Sequence, residues 1–469
     1  MLSPRRSSRP DMDTEWASAI EIATAVKEGR VSALSVTEAA LARIMERDPV
    51  LNAFTDVVAE RARKRAAEVD ADKQKGPLAG VPFAVKNLFD VAGLPTRAGS
   101  KINRELAPSA HDSPLIERLE AAGAVLVGAL NMGEYAYDFT GENVHDGNAH
   151  NPHDTSRMTG GSSSGSGGAV AGGLVPLSLG SDTNGSIRVP SSFCGLFGLK
   201  PTYGRLSRAR SFPFVSSFDH LGPLARSTQD LALAYDAMQG LDAEDPVCVD
   251  RPAELTTPAL QRGTQGLRIA VAGGYFKKGM FPEACVAMDR VAAALGANRD
   301  IEIPEAQRAR AAAYVITTSE GASLHLDRLR TRAMDFDPAT RDRLIAGAMV
   351  PAALVNRAQK FRRWYRGEVL KLFENIDAIL APATPCTAPA IGQQIFVVDG
   401  VELLVRPNIG IYTQPISFIG LPVVAVPVPL SPMPIAVQVI AAPWREDIAL
   451  RIAYALEQAG VCAAPRPKF

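Results

Sequence analysis

Apolar residues recur at helical spacing near the start of the chain. Residues 17–28 carry them on one helical face, and residues 60–70 form a charged, alanine-rich segment that also predicts a helix. Residues 35–38, with the sequence SVTE, have the pattern of a capping box in front of a further helix over residues 39–45. We therefore predict that helices open the fold.

Short apolar runs and amphipathic segments alternate along the rest of the chain. The apolar runs predict strands at residues 80–87, 124–130, 266–272, 377–381, 421–426 and 435–440. The amphipathic segments predict helices at residues 113–123, 230–238, 283–295 and 447–458, and residues 398–401 mark a hairpin turn. This alternation favours an α/β fold: a large mixed, mostly parallel central sheet covered by helices on both faces.

One long region interrupts the alternation. Residues 308–366 are rich in alanine and arginine and predict a long helical region, so we expect a helical cap over about 305–370 on one side of a pocket. Neither a break in composition nor an internal repeat divides the chain, which predicts a single domain over residues 16–469. Residues 1–15 are polar and basic, with Arg5, Arg6 and Arg9, and predict a disordered tail.

Charge and cysteine content narrow the functional classes. The 469 residues include 50 Lys plus Arg and 50 Asp plus Glu, so we expect neither nucleic acid nor a membrane as a partner. The longest uncharged stretch, residues 409–444, is broken by prolines, and residues 1–13 lack the apolar core of a signal peptide. Five scattered cysteines without a C-x-x-C pair predict reduced thiols, and we expect a bacterial cytoplasmic protein.

The most unusual stretch is residues 159–201. Clusters of Gly and Ser alternate there with apolar runs such as residues 174–177 and 193–199, so the stretch differs from a flexible linker. Glycine permits close backbone approach and positive φ, and successive backbone N–H groups in such turns bind anions. We interpret the stretch as tightly packed main chain that holds hydroxyl groups at chosen points.

Two serines and one lysine are the candidates for chemistry. Ser162 follows a Gly pair, and Ser186 lies between the sequences DTNG and IRVP. A serine needs a base to become a nucleophile, and residues 159–201 contain no histidine. Lys86 lies upstream in the apolar run GVPFAVKN, where burial requires either an ion pair or a lowered pKa. A neutral Lys86 is therefore the alternative base.

These motifs resemble the amidase signature family, whose members share a Ser–cis-Ser–Lys triad. The family pattern is roughly GGSSGGS, a spacer and DTGGSIRxP, with the lysine upstream in GxPxxxK, and the resemblance covers nearly the whole chain. Carried over by position, it implies that Lys86 is the general base, Ser186 the nucleophile, and Ser162 a bridging serine after a cis peptide bond. The chain departs from the family at Ser164 and Asn184, where Gly is usual.

The resemblance also implies a reaction: hydrolysis of an amide through an acyl-enzyme, without a metal or an organic cofactor. The expected oxyanion donors are the backbone N–H groups of Thr183, Asn184, Gly185 and Ser186. Around the triad, we expect Asp182 to accept structural hydrogen bonds and Ser163 to bond to the triad. For Arg188, we favour a structural ion pair over substrate contact.

Further segments are similar to one branch of the family, the amidohydrolases that act on 1-carboxybiuret or biuret in cyanuric acid breakdown. The similarity lies in residues 99–104, 181–188, 319–327 and 441–444. It implies a small carboxylated substrate of ureide type, such as 1-carboxybiuret, biuret or oxalurate, and release of ammonia. It also implies a heterotetramer in which this chain forms a homodimer and binds a small helical partner, related to the C subunit of tRNA-dependent amidotransferases. The candidate substrate contacts near these motifs are Arg97, Tyr135, Asn184, Glu320, His325 and Gln414.

Other interpretations stay open at this point. The chain also resembles the glutaminase (A) subunit of tRNA-dependent amidotransferases, although residues 324–326 and Gln414 differ from it. A general small-amide amidase and a non-catalytic scaffold are further alternatives.

His145, His150 and His153 lie in a loop without regular ligand spacing, so we do not predict a metal site. Cys194 has apolar neighbours, which predicts a buried, inert thiol.

Overall fold

The central element of the fold is a sheet of eleven strands. The computed structural model describes residues 12–398 and 400–468. Its strands are Phe54–Val57 (β1), Pro82–Lys86 (β2), Val125–Leu130 (β3), His150–Asn151 (β4), Asp154–Met158 (β5), Leu177–Asp182 (β6), Phe197–Lys200 (β7), His220–Ala225 (β8), Ile269–Ala272 (β9), Arg299–Ile301 (β10), Ala378–Pro382 (β11), Ile395–Val398 (β12), Val401–Leu404 (β13), Val423–Val428 (β14) and Ile435–Ala441 (β15). The large sheet has the order β1-β3-β2-β6-β8-β7-β14-β15-β11-β9-β10, while β4 pairs with β5 and β12 with β13.

Pairing in the large sheet is mixed, as predicted. The strands β3, β2 and β6 are parallel neighbours, as are β11, β9 and β10, and the other neighbours are antiparallel. Four of the ten neighbouring pairs are parallel, so parallel pairing is less dominant than expected. Short connections explain the difference: β14 and β15 are joined by residues 429–434 alone, and so short a link requires antiparallel neighbours.

Helices cover both faces of this sheet. They span Ala19–Lys27 (α1), Ala33–Leu51 (α2), Ala59–Ala71 (α3), Pro114–Ala121 (α4), Ser164–Ala171 (α5), Arg188–Cys194 (α6), Thr228–Met238 (α7), Pro282–Ala294 (α8), Ala306–Arg332 (α9), Pro338–Ala348 (α10), Ala352–Leu372 (α11), Val405–Asn408 (α12), Gln414–Ser417 (α13) and Glu446–Gln458 (α14). Every residue of β2, β3, β6, β8, β14 and β15 is buried, which requires cover on both faces.

The start of α2 shows how a distant side chain can move a helix boundary. The predicted capping box at residues 35–38 is wrong, because α2 already begins at Ala33 after the N-cap residue Ser32. Ala33 N and Leu34 N donate hydrogen bonds of 2.7 and 3.0 Å to the carboxylate of Asp70 in α3. This tertiary contact satisfies the first N–H groups of α2, which local sequence did not reveal.

Most of the predicted tail, residues 1–11, lies outside the described residues. Thr14 is buried, and Glu15 forms an ion pair of 2.9 Å with Arg47, so the folded domain begins before residue 16. Across the described part of the chain, no helix is both long enough and apolar enough to cross a membrane. All five cysteines are free thiols.

Three helices occupy the long region that was predicted to be helical. These helices, α9, α10 and α11, lie between β10 and β11 and are called the cap below. Prolines divide the region, because Pro338 is the first residue of α10 and Pro351 directly precedes α11. Helix α9 packs against α10, α11 and α13, so the cap lies against the segment that leads into β14.

Candidate active site

The Gly/Ser-rich stretch folds into two short helices, α5 and α6, and the strands β6 and β7, none of which the sequence analysis predicted. A Cβ atom at Gly165 would lie 2.2 Å from the carbonyl oxygen of Ala53, so the α5 backbone rests directly on another segment of main chain. The peptide bond between Gly161 and Ser162, just before α5, is cis, as the family resemblance implied. Close main-chain packing therefore surrounds Ser162.

Lys86 is the last residue of β2 and is completely buried. Its Nζ lies 2.6 Å from Ser162 Oγ and 2.8 Å from Ser181 Oγ. Burial lowers the pKa of Lys86 to about 7, although three nearby aspartates oppose the shift. In a substantial fraction of the protein molecules, Lys86 is therefore a neutral amine at neutral pH.

The second hydroxyl group beside Lys86, that of Ser181, was missed in the sequence. Strands β2 and β6 are parallel neighbours with Val85 opposite Leu179, and their carboxyl ends bring Lys86 and Ser181 together. Ser163 Oγ accepts a hydrogen bond from Ser181 N and donates one to Ser181 O, both at 3.2 Å. Ser163 therefore positions the serine that contacts Lys86. This contact could have been predicted only from the register of β2 against β6, and the sequence alone does not give that register.

Ser186 lies in the turn between β6 and α6. Gly185 has a φ of +145° in this turn, and a Cβ atom there would lie 2.2 Å from Thr413 Oγ1, so only glycine fits. Thr413 Oγ1 in turn donates a hydrogen bond of 2.7 Å to Asn184 O. Among the described residues, none accepts a hydrogen bond from the N–H groups of residues 183–186, and none bonds to Ser186 Oγ. The turn thus combines a free hydroxyl group with four free N–H groups.

A buried ion pair fixes the base of this turn. Two hydrogen bonds of 2.9 Å join the carboxylate of Asp182 to the guanidinium of Arg188, and Asp182 Oδ2 also accepts one from Ile187 N at 3.2 Å. Both members of the pair are completely buried. Burial would raise the pKa of the Asp182 carboxyl group, but the charge of Arg188 holds it below its usual value. Asp182 and Arg188 thus bind each other, the arrangement that we favoured from the sequence.

Ser186 opens onto a cavity of about 230 Å³. Its walls come from residues 136–139, from the turn after β6, from the cap, and from residues 404–414. The polar lining includes Tyr137, Asp138, Asn184, Arg343, Arg406 and Gln414. Of the predicted substrate contacts, Asn184 and Gln414 are therefore at the cavity wall.

Arg97 and Glu320 do not line this cavity, contrary to expectation. Arg97 forms ion pairs with Asp56 at 3.2 Å and with Asp146 at 3.3 Å. The carboxylate of Glu320 accepts hydrogen bonds from the backbone N–H and the hydroxyl group of Ser217. Both side chains are therefore engaged in structural contacts away from Ser186.

Tyr135 and His325 also lie outside the cavity lining, because they pack against each other in an aromatic cluster. Their ring centroids are 4.0 Å apart, and Phe212 and Phe336 contact both rings. The hydroxyl group of Tyr135 donates a hydrogen bond to Asn103 Oδ1 at 3.2 Å. Burial lowers the pKa of His325 to about 3, helped by the charge of a nearby arginine, so the imidazole is neutral. These two residues stabilise the contact between the cap and the main domain.

Several polar residues at the cavity were missed in the sequence, among them Tyr137, Asp138, Arg343 and Arg406. The cap was recognised as arginine-rich, but its helical pattern does not show which arginine faces a pocket. Arg343 lies in α10, whereas Arg406 lies in α12 and binds Asp138 and Glu142. Only the packing of the cap on the sheet brings the two guanidinium groups to one cavity.

The three histidines of the loop over residues 145–153 make separate contacts. His145 Nε2 lies 3.1 Å from Glu134 Oε1, and His150 Nδ1 lies 2.7 Å from the carbonyl oxygen of Thr155. His153 Nε2 lies 3.1 Å from the carbonyl oxygen of Cys194, whose thiol is buried and has a raised pKa. Within residues 12–398 and 400–468, no three His, Cys, Asp or Glu side chains are grouped to hold a metal ion.

Comparison with known proteins gives a consistent assignment. The family model described as Amidase matches residues 35–450. The chain is 54% identical over 449 residues to AtzE of Pseudomonas sp. (strain ADP), described as a 1-carboxybiuret hydrolase subunit, covering 94% of this chain and 98% of that protein. It is 37% identical over 473 residues to the A subunit of the Glutamyl-tRNA(Gln) amidotransferase of Azotobacter vinelandii, covering 94% and 96% of the two chains.

One solved structure is also similar to this chain over nearly its whole length. It is described as "An unexpected vestigial protein complex reveals the evolutionary origins of an s-triazine catabolic enzyme" and superposes with a TM-score of 0.95. Its sequence is 53% identical, and the match covers 96% of this chain and 100% of the other. The chain therefore belongs to the amidase signature family of C–N hydrolases.

Proposed function

We propose that this protein hydrolyses a C–N amide bond of a small carboxylated ureide and releases ammonia. The observation that carries this reaction is the 2.6 Å contact between Lys86 Nζ and Ser162 Oγ at a buried lysine whose pKa is about 7. A neutral amine in this position is a base, and the neighbouring hydroxyl group can transfer a proton to it.

Ser186 is the proposed nucleophile. Its Oγ attacks the carbonyl carbon of the substrate while its proton moves to Ser162 Oγ, and the proton of Ser162 moves to Lys86 Nζ. The free N–H groups of residues 183–186 stabilise the oxyanion that forms, and one such donor contributes roughly 3 kcal/mol. The contact of 2.8 Å with Ser181 holds the amine of Lys86 in position during the transfer.

Breakdown of the tetrahedral intermediate then breaks the C–N bond. Lys86 returns its proton through Ser162 to the leaving nitrogen, which departs as ammonia and leaves an acyl ester on Ser186. Water attacks this ester, its proton passes through Ser162 to Lys86, and the return of that proton to Ser186 releases the acid. The net reaction consumes one water molecule, and no step of this scheme uses a metal ion or an organic cofactor.

The proposed substrate class rests on the relative and on the cavity. The relative that is 54% identical to this chain is part of a 1-carboxybiuret hydrolase. A cavity of about 230 Å³ is smaller than the roughly 300–1,000 Å³ of pockets for drug-sized ligands, which suits a small substrate. Of the two guanidinium groups in its lining, that of Arg406 pairs with two carboxylates, whereas that of Arg343 pairs with no carboxylate of the described residues, and this favours a substrate with a negative charge.

The test is ammonia release by the purified protein from a panel of amides: 1-carboxybiuret, biuret, oxalurate, allophanate, glutamine and an aryl amide. We expect the carboxylated ureides to be preferred and their hydrolysis to be lost in the Ser186→Ala variant. Preference for the aryl amide would contradict the substrate class while leaving the reaction unchanged. Activity of the Ser186→Ala variant equal to that of the unchanged protein would contradict the proposed nucleophile.

A second candidate is the glutaminase activity of the A component of an amidotransferase. It is favoured by the identity of 37% to that component from Azotobacter vinelandii. Turnover of glutamine in the same panel, at a rate above that of every ureide, would support this alternative against the first proposal.

We further propose that the chain works in the cytoplasm as a homodimer that binds a small helical partner protein in a heterotetramer. The solved structure with a TM-score of 0.95 is described as a protein complex, and the free thiols are compatible with a reducing compartment. Co-expression with small helical proteins encoded near this chain, followed by measurement of the mass of the purified assembly, tests the proposal. A stable monomer under these conditions would contradict it.

A further inference from the structure

Asn184, in the wall of the Ser186 cavity, is held at two points. Its carbonyl oxygen accepts a hydrogen bond of 2.7 Å from Thr413 Oγ1, and its side-chain Nδ2 donates one of 3.0 Å to Thr317 Oγ1 in α9. Thr317 is buried and lines the same cavity, so the carboxamide that joins these two residues lies along the cavity wall. The cap therefore fixes the amide group of Asn184, while Thr413 fixes its main chain.

The amide oxygen of Asn184 has no partner. Oδ1 is buried, yet none of the described residues donates a hydrogen bond to it. An amide oxygen can only accept hydrogen bonds, and a buried acceptor without a donor is costly. The orientation that Thr317 imposes on the amide thus leaves an acceptor at the cavity wall whose donor a ligand can supply.

The other predicted amide at the cavity wall, Gln414, differs because its oxygen is occupied. Gln414 Oε1 accepts a hydrogen bond of 2.9 Å from Arg310 Nε. Arg310 also binds the carbonyl oxygen of Pro407 and Oδ1 of Asn408 through Nη2, so Gln414 belongs to a structural network. Among the described residues that line the cavity, Asn184 is thus the one with an unpaired carboxamide oxygen.

The place of Asn184 in the chain brings its side chain close to the reacting group. Asn184 precedes Ser186 by two residues in the turn after β6, and both residues line a cavity of about 230 Å³. In so small a space, the substrate atom next to the carbonyl carbon that Ser186 attacks lies against this turn. In a ureide that atom is an N–H donor, whereas in a simple carboxamide it is a CH2 group, which donates no hydrogen bond.

We propose that Asn184 Oδ1 accepts a hydrogen bond from the N–H group next to the reacting carbonyl and thereby selects ureides over simple carboxamides. Thr317 is the positioning residue, because it holds the amide of Asn184 with the oxygen toward the substrate. This inference rests on the proposed function, because it names the residue that recognises the ureide group. A CH2 group in the same place leaves the buried oxygen unpaired, and a site built to bind an N–H group rejects analogues without it.

The kinetic test compares two substrates that differ in this one group, hydantoate (N-carbamoylglycine) and succinamate. Both carry a carboxylate and a terminal amide that can release ammonia, but the group beside the reacting carbonyl is N–H in hydantoate and CH2 in succinamate. Asn184→Gly keeps the backbone N–H groups of the turn. For this variant we expect the ratio of kcat/KM for hydantoate to that for succinamate to fall at least about tenfold. The intrinsic reactivity of the two substrates cancels when the ratios of variant and unchanged protein are compared.

Variants of α9 test the positioning role of Thr317. Thr317→Val removes the hydroxyl group that orients the amide and is expected to lower the same ratio at least about threefold, whereas Thr317→Ser keeps a hydroxyl group and should lower it less. The matched control is Thr318→Val, because the hydroxyl group of Thr318 donates to carbonyl oxygens of its own helix, those of Tyr314 and Val315. This control is expected to leave the ratio unchanged.

An unchanged ratio in Asn184→Gly would overturn the inference even if both rates fell, because equal losses indicate a damaged oxyanion site. A fall in Thr318→Val as large as in Thr317→Val would overturn the role of Thr317. The melting temperature of each variant separates misfolding from lost recognition, and Thr317→Val provides a second variant if Asn184→Gly is unstable.

A binding measurement separates this inference from the proposed function. The Ser186→Ala protein, with and without Asn184→Gly, is titrated calorimetrically with hydantoate and with succinamate. If the unchanged protein hydrolyses no ureide but Ser186→Ala binds hydantoate more tightly and loses that preference with Asn184→Gly, the proposed function is wrong and Asn184 still binds the N–H group. If Ser186→Ala binds hydantoate no more tightly than succinamate, the inference about Asn184 is wrong.

Discussion

The Gly/Ser-rich core, residues 159–201, and the cap both border the Ser186 cavity, but they are built in opposite ways. Every residue of the core is buried, whereas α11 of the cap buries three of its 21 residues. Close-packed buried positions tolerate few substitutions, and exposed helical positions tolerate many. The two parts of the chain that border the cavity thus differ in their freedom to change.

The largest expected effect concerns the core and the reaction. Ser186→Ala is expected to lower ammonia release by roughly 10⁵-fold or more, because loss of a nucleophile removes the covalent route. The melting temperature should stay the same, since Ser186 Oγ has no hydrogen-bond partner among the described residues to lose. Ser156→Ala, at an exposed serine, is the control and should keep full activity. Retained activity in Ser186→Ala would mean that the core does not carry the reaction.

The second prediction concerns the pH dependence of kcat/KM. Lys86 must be neutral to accept a proton, and burial lowers its pKa to about 7. Activity should therefore rise with pH until about 7 and be constant above it, and at pH 5 it should be about 100-fold lower than on the plateau. Circular dichroism at pH 5 controls for unfolding. A flat profile between pH 5 and 8 would exclude Lys86 as the base.

The third prediction tests the packing of the core. Gly165→Ala would place a Cβ atom 2.2 Å from the carbonyl oxygen of Ala53, so main chain must move apart. We expect the free energy of unfolding to fall by about 1–3 kcal/mol, measured as a lower denaturant midpoint. An unchanged midpoint would show that the core can accommodate an added methyl group at residue 165 and is less tightly packed than we infer.

The smallest effect is expected for a substitution of glycine by alanine in the cap. Gly367 lies in α11 and is exposed, and no heavy atom of the described residues lies within 4 Å of the Cβ atom that Gly367→Ala would add. Alanine favours the helix over glycine, so the free energy of unfolding should rise by about 0.5–1 kcal/mol. The two glycines should thus respond with opposite sign in one denaturant assay. Destabilisation by Gly367→Ala would indicate that a partner or another part of the chain covers α11.

The contrast between core and cap also explains what could be predicted from sequence. Six of the eleven strands of the large sheet, most helices and the contact between Lys86 and Ser162 were predictable, because each depends on a local pattern or on a motif with fixed spacing. Ser181 was not, because its contact with Lys86 depends on the register of β2 against β6. The start of α2 is a similar case. Its first N–H groups bind Asp70 of α3, so a side chain distant in sequence decides where the helix begins.

Substrate contacts were the least predictable part. Tyr135 and His325 lie near motifs in the sequence, yet their aromatic rings pack together and leave the cavity to other residues. Arg343 carries no distinguishing pattern in an arginine-rich helix, and its place in the cavity lining depends on how the cap packs against the sheet. Packing between segments distant in sequence decides which side chains line the cavity, and this packing cannot be predicted from the local patterns of one sequence.

The position of the cap in the chain has a consequence for evolution. The cap follows β10 and precedes β11, and both of these strands run parallel to β9. The chain therefore leaves the sheet at the carboxyl end of β10 and returns at the amino end of β11, on the opposite edge, so the cap is also the crossover between them. Because residues 306–372 are contiguous in sequence, an exchange of their codons would supply a new wall for the cavity, while the codons for Lys86, Ser162 and Ser186 are inherited unchanged.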